Sequence, residues 1–318
     1  MAAQNLSQAR AGISPVNTAI AQGFQNSEFV GMNLFPRVPT GARAGKITSF
    51  NKESFMQYSN MARSPGARTP RVSFGYSGSD YGLQDYSIEG MLPKEIREEQ
   101  LDPSKGFTID GATMAINGAM DIVGLRLEIQ QAALATNTAN YDSSNRIILS
   151  GTSQFSDFTG TSNPVKVVKD GKEVIRQQIG KRPTDLVMGA AVFEVLTQHP
   201  VIVDRIKYTG RDTATPELLA SLFGVQNVWV GDAIQSNDAG VFSDVWGKDI
   251  VLVYKPVASL AQMGAPSYGY TYNLNGYPMS EPAYYENNKK AWCFPVSSCE
   301  APAIAAKAAG YLIKNAVA

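Results

Sequence analysis

A single long helical signature between Asp110 and Thr136 constrains this chain more than any other feature. Ile116, Met120, Val123 and Leu127 recur at spacings of four, three and four, and Leu134 continues the stripe one heptad later. Asp110 supplies the side-chain acceptor that a first turn needs. At about 1.5 Å per residue the helix spans roughly 35 to 40 Å, as long as a small domain is wide. Gly118 and Gly124 weaken it intrinsically, so packing on the apolar stripe must hold it. Any fold for this chain is built along that rod.

The segments on either side follow different rules. Before it, Pro15, Pro36, Pro39, Pro65, Pro70 and Pro93, with frequent glycine, interrupt residues 1–105 too often for long helices. Alternating stretches survive there, KITSFNKESF (46–55) and RVSFGYS (71–77), and suit the two arms of a long antiparallel hairpin. After Ser150-Gly151 short strands and helices alternate. Leu186 to Met188, Val228 to Val230 and Ile250 to Tyr254 read as strands, and Ala190 to Gln198 as a helix closed by Pro200. Thr215-Pro216-Glu217 provides a cap, a first-turn proline and a first-turn acid for a helix that Gly224 ends after Phe223. The pattern is that of an α+β domain. From Tyr277 the chain is strand-like, and AAGYLIKNAVA is expected to return to the earlier core.

Composition excludes several function classes. The 318 residues, 44% hydrophobic and 18% charged, describe a folded chain of about two domains. Twenty-eight basic side chains balance twenty-eight acidic ones, so any attraction to nucleic acid or a membrane surface must be local. The N-terminus carries no signal-peptide pattern, and no apolar run is long enough to cross a membrane. Only Cys293 and Cys299 are present, which is no disulfide framework and fits synthesis in a reducing cytoplasm. Charge is nevertheless segregated: residues 1–75 carry eight bases against two acids, a net of +6. Residues 76–142 carry four against eleven, a net of −7, and the remainder nets +1. Such a chain can attract its neighbour or another copy of itself, within a screening length of about 10 Å at 0.1 M salt.

No catalytic, cofactor-binding or metal constellation emerges. The lone His199 reads as a helix-end imidazole bonded to a last-turn carbonyl. The two cysteines lack the spacing of a zinc or redox pair and read as small semi-buried residues. Gly-Lys pairs at 45, 171, 180 and 247 lack the Ser or Thr of a phosphate loop and read as turns. Ser49-Phe50-Asn51-Lys52 matches the acyl-serine string only in isolation, inside a strand pattern. Glu95, Glu98 and Glu99 form an acidic run that reads as a solvated face. The tyrosines of PSYGYTYNLNGY (266–277) suit a half-buried strand and equally the stacking of bases or sugars.

The order of these parts resembles the major capsid proteins of tailed bacteriophages, with the Hong Kong 97 fold. NLFPRVPTGARAGKITSFNKESF (33–55) resembles the family's arm leading into its extended loop, and LRLEIQQAALATNTANYDSSNRIILSGTSQFSD (125–157) the end of its spine helix. RPTDLVMGAAVFEVLTQHPVI (182–202), LASLFGVQNVWVGDA (219–233) and VWGKDIVLVY (245–254) resemble successive pieces of its axial domain.

The resemblance implies an α+β capsid fold divided into an N-terminal arm (1–44), an extended β-hairpin loop (45–90) and a peripheral domain with the spine helix (91–163). An axial domain (164–275) and C-terminal strands returning to the core (276–318) complete it. It further implies a non-enzymatic shell subunit that assembles with itself into hexamers and pentamers, in the cytoplasm of a bacterial host and then in the virion. Expected partners are a portal protein, enclosed double-stranded DNA bound without sequence preference, and a separate scaffolding protein, since no long helical scaffold region precedes the arm. A decoration protein is left open, and no cofactor is expected. Candidate inter-subunit contacts are Arg43, Lys46 and Lys52 on the basic side and Glu95, Glu98 and Glu99 on the acidic side. Gly210, Arg211 and Asp212, in a polar turn before a capped helix, are candidates for the axial loop. The competing readings are an encapsulin-like compartment with the same fold and, more remotely, a carbohydrate-binding module or a hydrolase.

Overall fold

The computed structural model describes residues 14–23, 29–50, 64–66, 68, 76–101, 110–159, 162–207, 214–237, 239–256 and 267–318. The arm contributes helices α1 (Pro15–Gly23) and α2 (Gly31–Leu34) and strand β1 (Arg37–Thr40). Strands β2 (Ala44–Phe50) and β3 (Tyr76–Gly82) follow, then β4 (Gln84–Pro93) and helix α3 (Lys94–Leu101). The long helix α4 runs over Gly111–Thr136, and the Asp110 carboxylate accepts from the Ala112 and Thr113 N–H groups at its start. The expected cap and end of this helix are both found.

Beyond it lie β5 (Arg146–Ile148), helix α5 (Pro164–Ile179), β6 (Asp185–Gly189), α6 (Ala190–Gln198), α7 (Pro200–Ile206) and α8 (Pro216–Phe223). Strands β7 (Asn227–Gly231), β8 (Ile234–Ser236), β9 (Phe242–Asp244), β10 (Ile250–Val253), β11 (Gly269–Leu274), β12 (Met279–Ser280), β13 (Tyr284–Glu286), β14 (Ala291–Ile304) and β15 (Gly310–Lys314) complete the chain. Helix α5 was absent from the reading of the sequence, although Asn163 caps it, Pro164 opens it and a left-handed Gly180 closes it. Pro200 closes α6 and also opens α7, a second use that the sequence reading did not assign to it. Two of the four Gly-Lys pairs are not turns, since Gly45-Lys46 lies in β2 and Gly171-Lys172 inside α5.

Two sheets organise the core. One has the order β5-β15-β10-β6-β7, with β10 antiparallel to both neighbours and β6 parallel to β7. Every residue of β6 and β10 is buried, and the β6-to-β7 crossover carries α6, α7 and α8, as a parallel connection requires. The C-terminal β15 inserts beside β10, which is the expected return of the tail to earlier structure. The second sheet is built around β14, whose one edge pairs with β4 along its length while the other meets β13, β12 and β11 in succession. Cys293 and Cys299 are both buried in this strand. The long helix lies against β4 and β14, and its Ile116 and Met120 share a cluster with Phe294 and Val296. Only glycine fits at position 90, where a Cβ would stand 2.2 Å from the Ala115 carbonyl oxygen of α4.

Strands β2 and β3 form a separate two-stranded sheet, Ala44 opposite Gly82 through Phe50 opposite Tyr76. The hairpin expected from 46–55 and 71–77 therefore has a stem that starts earlier and ends later; residues 51–63 and 69–75 lie outside the described ones.

Candidate assembly surfaces

Among the described residues, the hairpin stem is anchored at its base. Tyr81 stacks on Tyr272 of β11 with ring centroids 4.3 Å apart and planes 5° from parallel, and its hydroxyl shares a 2.9 Å hydrogen bond with Thr40. Leu83 N–H donates to the Arg43 carbonyl at 2.7 Å, and the Arg43 guanidinium pairs with Asp85. Hydrogen bonds from Cys299 and then Arg43 hold the Asp85 carboxyl below its ordinary range. Farther out, exposed Lys46 stands opposite exposed Asp80 in the strand register. Of the three basic candidates, Arg43 thus already has an acid within its own chain. Lys46 projects from the stem, and Lys52 lies outside the described residues.

The acidic candidates sit together on α3. Glu95, Glu98 and Glu99 are all exposed, on a helix fastened by Arg97, whose guanidinium lies 4.0 Å above the Trp292 ring. Lys94 pairs with Glu98 one turn on, at 3.3 Å. Among the described residues Arg43 and Glu98 take Asp85 and Lys94 as their partners. Gly210, Arg211 and Asp212 lie outside the described residues, between Lys207 at the end of α7 and the Thr215 cap of α8.

Two buried glutamates that the sequence reading missed fix the arm to the body. Glu128 of α4, 1% exposed, accepts from the Val30 and Gly31 N–H groups at 2.9 to 3.0 Å and from the Trp246 indole at 2.7 Å. Burial pushes its carboxyl up, and these three donors oppose the shift. One carboxylate thereby ties the arm, the long helix and the turn before β10. Glu300 of β14, also 1% exposed, receives Arg37 from β1 at 3.3 Å and Arg126 from α4 at 3.2 Å. Arg126 is held below its ordinary range by its own burial and also covers the Tyr86 ring. An acid immediately beside an apolar helical stripe, as Glu128 is beside Leu127, was the one available sequence signal.

The single histidine is a structural joint. Its ring does not bond a last-turn carbonyl, as expected, because Pro200 turns the chain at once into α7 and brings the Val201 N–H onto Nδ1 at 3.2 Å. The neutral ring then carries its proton on Nε2 and donates to Ser162 at 3.0 Å, and Ser162 donates onward to the Asp157 carbonyl at 2.6 Å. In that tautomer the imidazole is no base toward the serine. Among the described residues no group of three metal-ligating side chains is assembled, and no helix is long and apolar enough to cross a membrane.

No protein-family model matches the chain. It is 38% identical over 271 residues, 84% of its length and 85% of the relative's, to the major capsid protein of Burkholderia phage BcepMu. The chain belongs to the major capsid proteins of tailed bacteriophages. A crystal structure of a phage-related protein from Bordetella bronchiseptica RB50 superposes on this capsid chain with a TM-score of 0.81, at 32% identity over 96% of this chain and 97% of that one. At the level of fold alone, the capsid of cyanophage P-SCSP1u gives 0.57 at 9% identity, covering 88% and 86%. The SrpI encapsulin of Synechococcus elongatus gives 0.55 at 13%, covering 99% and 96%. The Hong Kong 97 fold is common to phage heads and encapsulins, and the sequence relation selects the phage branch.

Proposed function

We propose that this capsid protein is the repeating subunit of a closed icosahedral head, arranged as hexamers and pentamers of itself and enclosing double-stranded DNA without sequence preference. Assembly takes place in the bacterial host cytoplasm, with a separate scaffolding protein and a portal protein, and a decoration protein is an optional addition. The role is structural and not enzymatic, a reading supported by the Ser162–His199 geometry, in which the imidazole's own proton points at the serine. The observation that carries the whole is the 38% identity to a major capsid protein across 84% of the chain. A closed shell suits one chain with a projecting stem, because identical heterologous contacts repeated around rotation axes close on themselves.

Within the shell, residues 164–275 form the axial domain, and the turn holding Gly210, Arg211 and Asp212 contributes to the ring around each symmetry axis. The basic hairpin, carrying Arg43, Lys46 and Lys52, docks on the Glu95, Glu98 and Glu99 face of an adjacent subunit. Its reach supports this: a hairpin over about 45–75 at roughly 3.3 Å per residue extends on the order of 40 to 50 Å. The exposure of all three glutamates supports it too. Negative-stain imaging of the chain coexpressed with its scaffold tests the reading. Closed particles with five-fold and six-fold clusters are expected; a well-folded monomer at high concentration without particles overturns it. An enzyme cargo in place of DNA inside purified particles points to a compartment of the encapsulin kind.

A further inference from the structure

The chain is electrically neutral as a whole, yet helix α5 and the residues just after it concentrate positive charge. Between residues 166 and 182 lie Lys166, Lys169, Lys172, Arg176, Lys181 and Arg182, opposed by Asp170 and Glu173, a net of +4. Residues 143–318 together net only +1, so everything else in that stretch sums to −3. Helix α5 buries Val165, Val168, Ile175 and Ile179, and a Cβ at Gly171 would stand 2.7 Å from the Tyr311 ring, so this face is committed to the core. On the helix Lys166 and Lys169 are exposed, and Lys181 and Arg182 are exposed after its Gly180 cap.

These cations divide by use. Lys172 turns inward and donates to the Phe223 and Gly224 carbonyls, closing α8. Arg176 is taken by Glu173, with Nε 2.8 Å from the carboxylate, which is pushed down to about 2 chiefly by that bond. Lys166, Lys169, Lys181 and Arg182 are exposed and form no salt bridge among the described residues. Burial first, and then repulsion from Arg182 and Lys169, holds Lys172 below its ordinary range, so these cations share one field. Lys181 and Arg182 follow the left-handed Gly180 that ends α5, so the four exposed cations form a cluster on the helix and just beyond its end.

We propose that the exposed cations Lys166 and Lys169 of α5, with Lys181 and Arg182 just after it, form the surface through which the subunit contacts the phosphate backbone of double-stranded DNA. The inference rests on the reading that the shell encloses DNA. A cluster of exposed cations with no salt bridge among the described residues suits a polyanion bearing one charge per about 1.7 Å of axis. The chain's own acidic segment is partly spoken for, with Asp85 on Arg43, Glu98 on Lys94, Glu128 buried and Asp110 capping α4.

The test compares three full-length proteins: wild type, a variant with Lys166, Lys169, Lys181 and Arg182 all changed to Gln, and a control with Lys94, Lys248, Lys289 and Lys290 changed to Gln. Both variants lose the same net charge. Binding to a random-sequence DNA duplex is titrated at increasing salt, and particle formation with the scaffold is imaged in parallel. The expected result is a salt slope shallower by about 0.9 per removed contact, up to roughly 3.6, for the α5 variant only. Replacing the same three lysines by Arg and Arg182 by Lys should retain binding. Equal losses in both Gln variants, or none in the α5 variant, overturn the inference. Failure of the α5 variant to form particles while DNA binding persists also overturns it, and assigns the face to an acidic surface of another copy. Normal shells with no duplex binding by wild type remove the inference and leave the shell reading standing, whereas duplex binding without shells does the reverse.

Discussion

The five-stranded sheet and the hairpin stem are both β structure, but they differ in what their faces touch. In the sheet, β6 and β10 are buried over every residue, and a four-residue stretch such as Ile250–Val253 is stabilised by neighbours on both edges and both faces. In the stem, seven residue pairs connect β2 and β3, no further strand among the described residues joins them, and Lys46 and Asp80 face solvent. An isolated two-stranded ribbon is marginal in water. The first region holds its shape from contacts inside the subunit; the second, among the described residues, has contacts at its base, and the proposed docking on a neighbour would supply the rest.

Four substitutions break or sharpen that contrast. The largest effect belongs to the central strand: Leu252→Ala should cost about 2 to 5 kcal/mol, read by urea unfolding, because a fully buried side chain leaves a cavity between packed layers. A loss below about 1 kcal/mol would mean that this sheet is as loosely held as the stem. Next is Glu128→Ala, which orphans the Val30, Gly31 and Trp246 N–H groups and should cost about 1 to 3 kcal/mol. Limited proteolysis should then cut the arm around residue 30 before the sheet opens; unchanged cleavage would remove Glu128 as the anchor.

The third effect is a pH dependence. Burial lowers the His199 pKa from its ordinary 6.5, so the unfolded chain binds the extra proton first as pH falls. The contribution is complete above about pH 6.5 and is lost progressively below it, down to the folded value. Unfolding measured across that window should show wild type losing stability and His199→Gln showing a flatter profile; parallel profiles would exclude the joint as a source. The smallest effect on the subunit, and the largest on the lattice, is expected from Lys46→Glu with Lys52→Glu. Exposed pairs contribute about 0 to 1 kcal/mol each, so the subunit should unfold as before while particles assemble poorly or dissolve at lower salt. Restoration by Glu95→Lys with Glu98→Lys would identify the partner face, and normal particles from the doubly reversed protein would exclude the docking.

Legibility in the sequence followed the same division. The long helix was readable because its stripe and its Asp110 cap are local, and the same holds for α8 between Thr215 and Gly224. Helix α5 carried equally local signals in Asn163-Pro164 and Gly180, and its four cations and central glycine obscured the apolar positions Val165, Val168, Ile175 and Ile179. Glu128 and Glu300 were invisible for another reason. Their partners lie 97 to 98 and 263 residues away along the chain for the arm contacts alone, and no spacing rule connects such positions.

By itself the sequence determined the long helix and α8 with their caps, the segregation of +6 and −7 between the first two segments, and through its resemblance the family and fold. Those properties depend on residues within a few turns of one another, or on order along the chain. Tertiary structure alone decided that β15 slots beside β10, that β14 carries four partner strands, and that the arm is held by buried carboxylates. It also decided that Arg43 is taken within the subunit while Lys166, Lys169, Lys181 and Arg182 stay exposed. Long-range pairing is selected by which buried faces and donors fit once the chain has collapsed, and that energy is distributed over residues that no local pattern links.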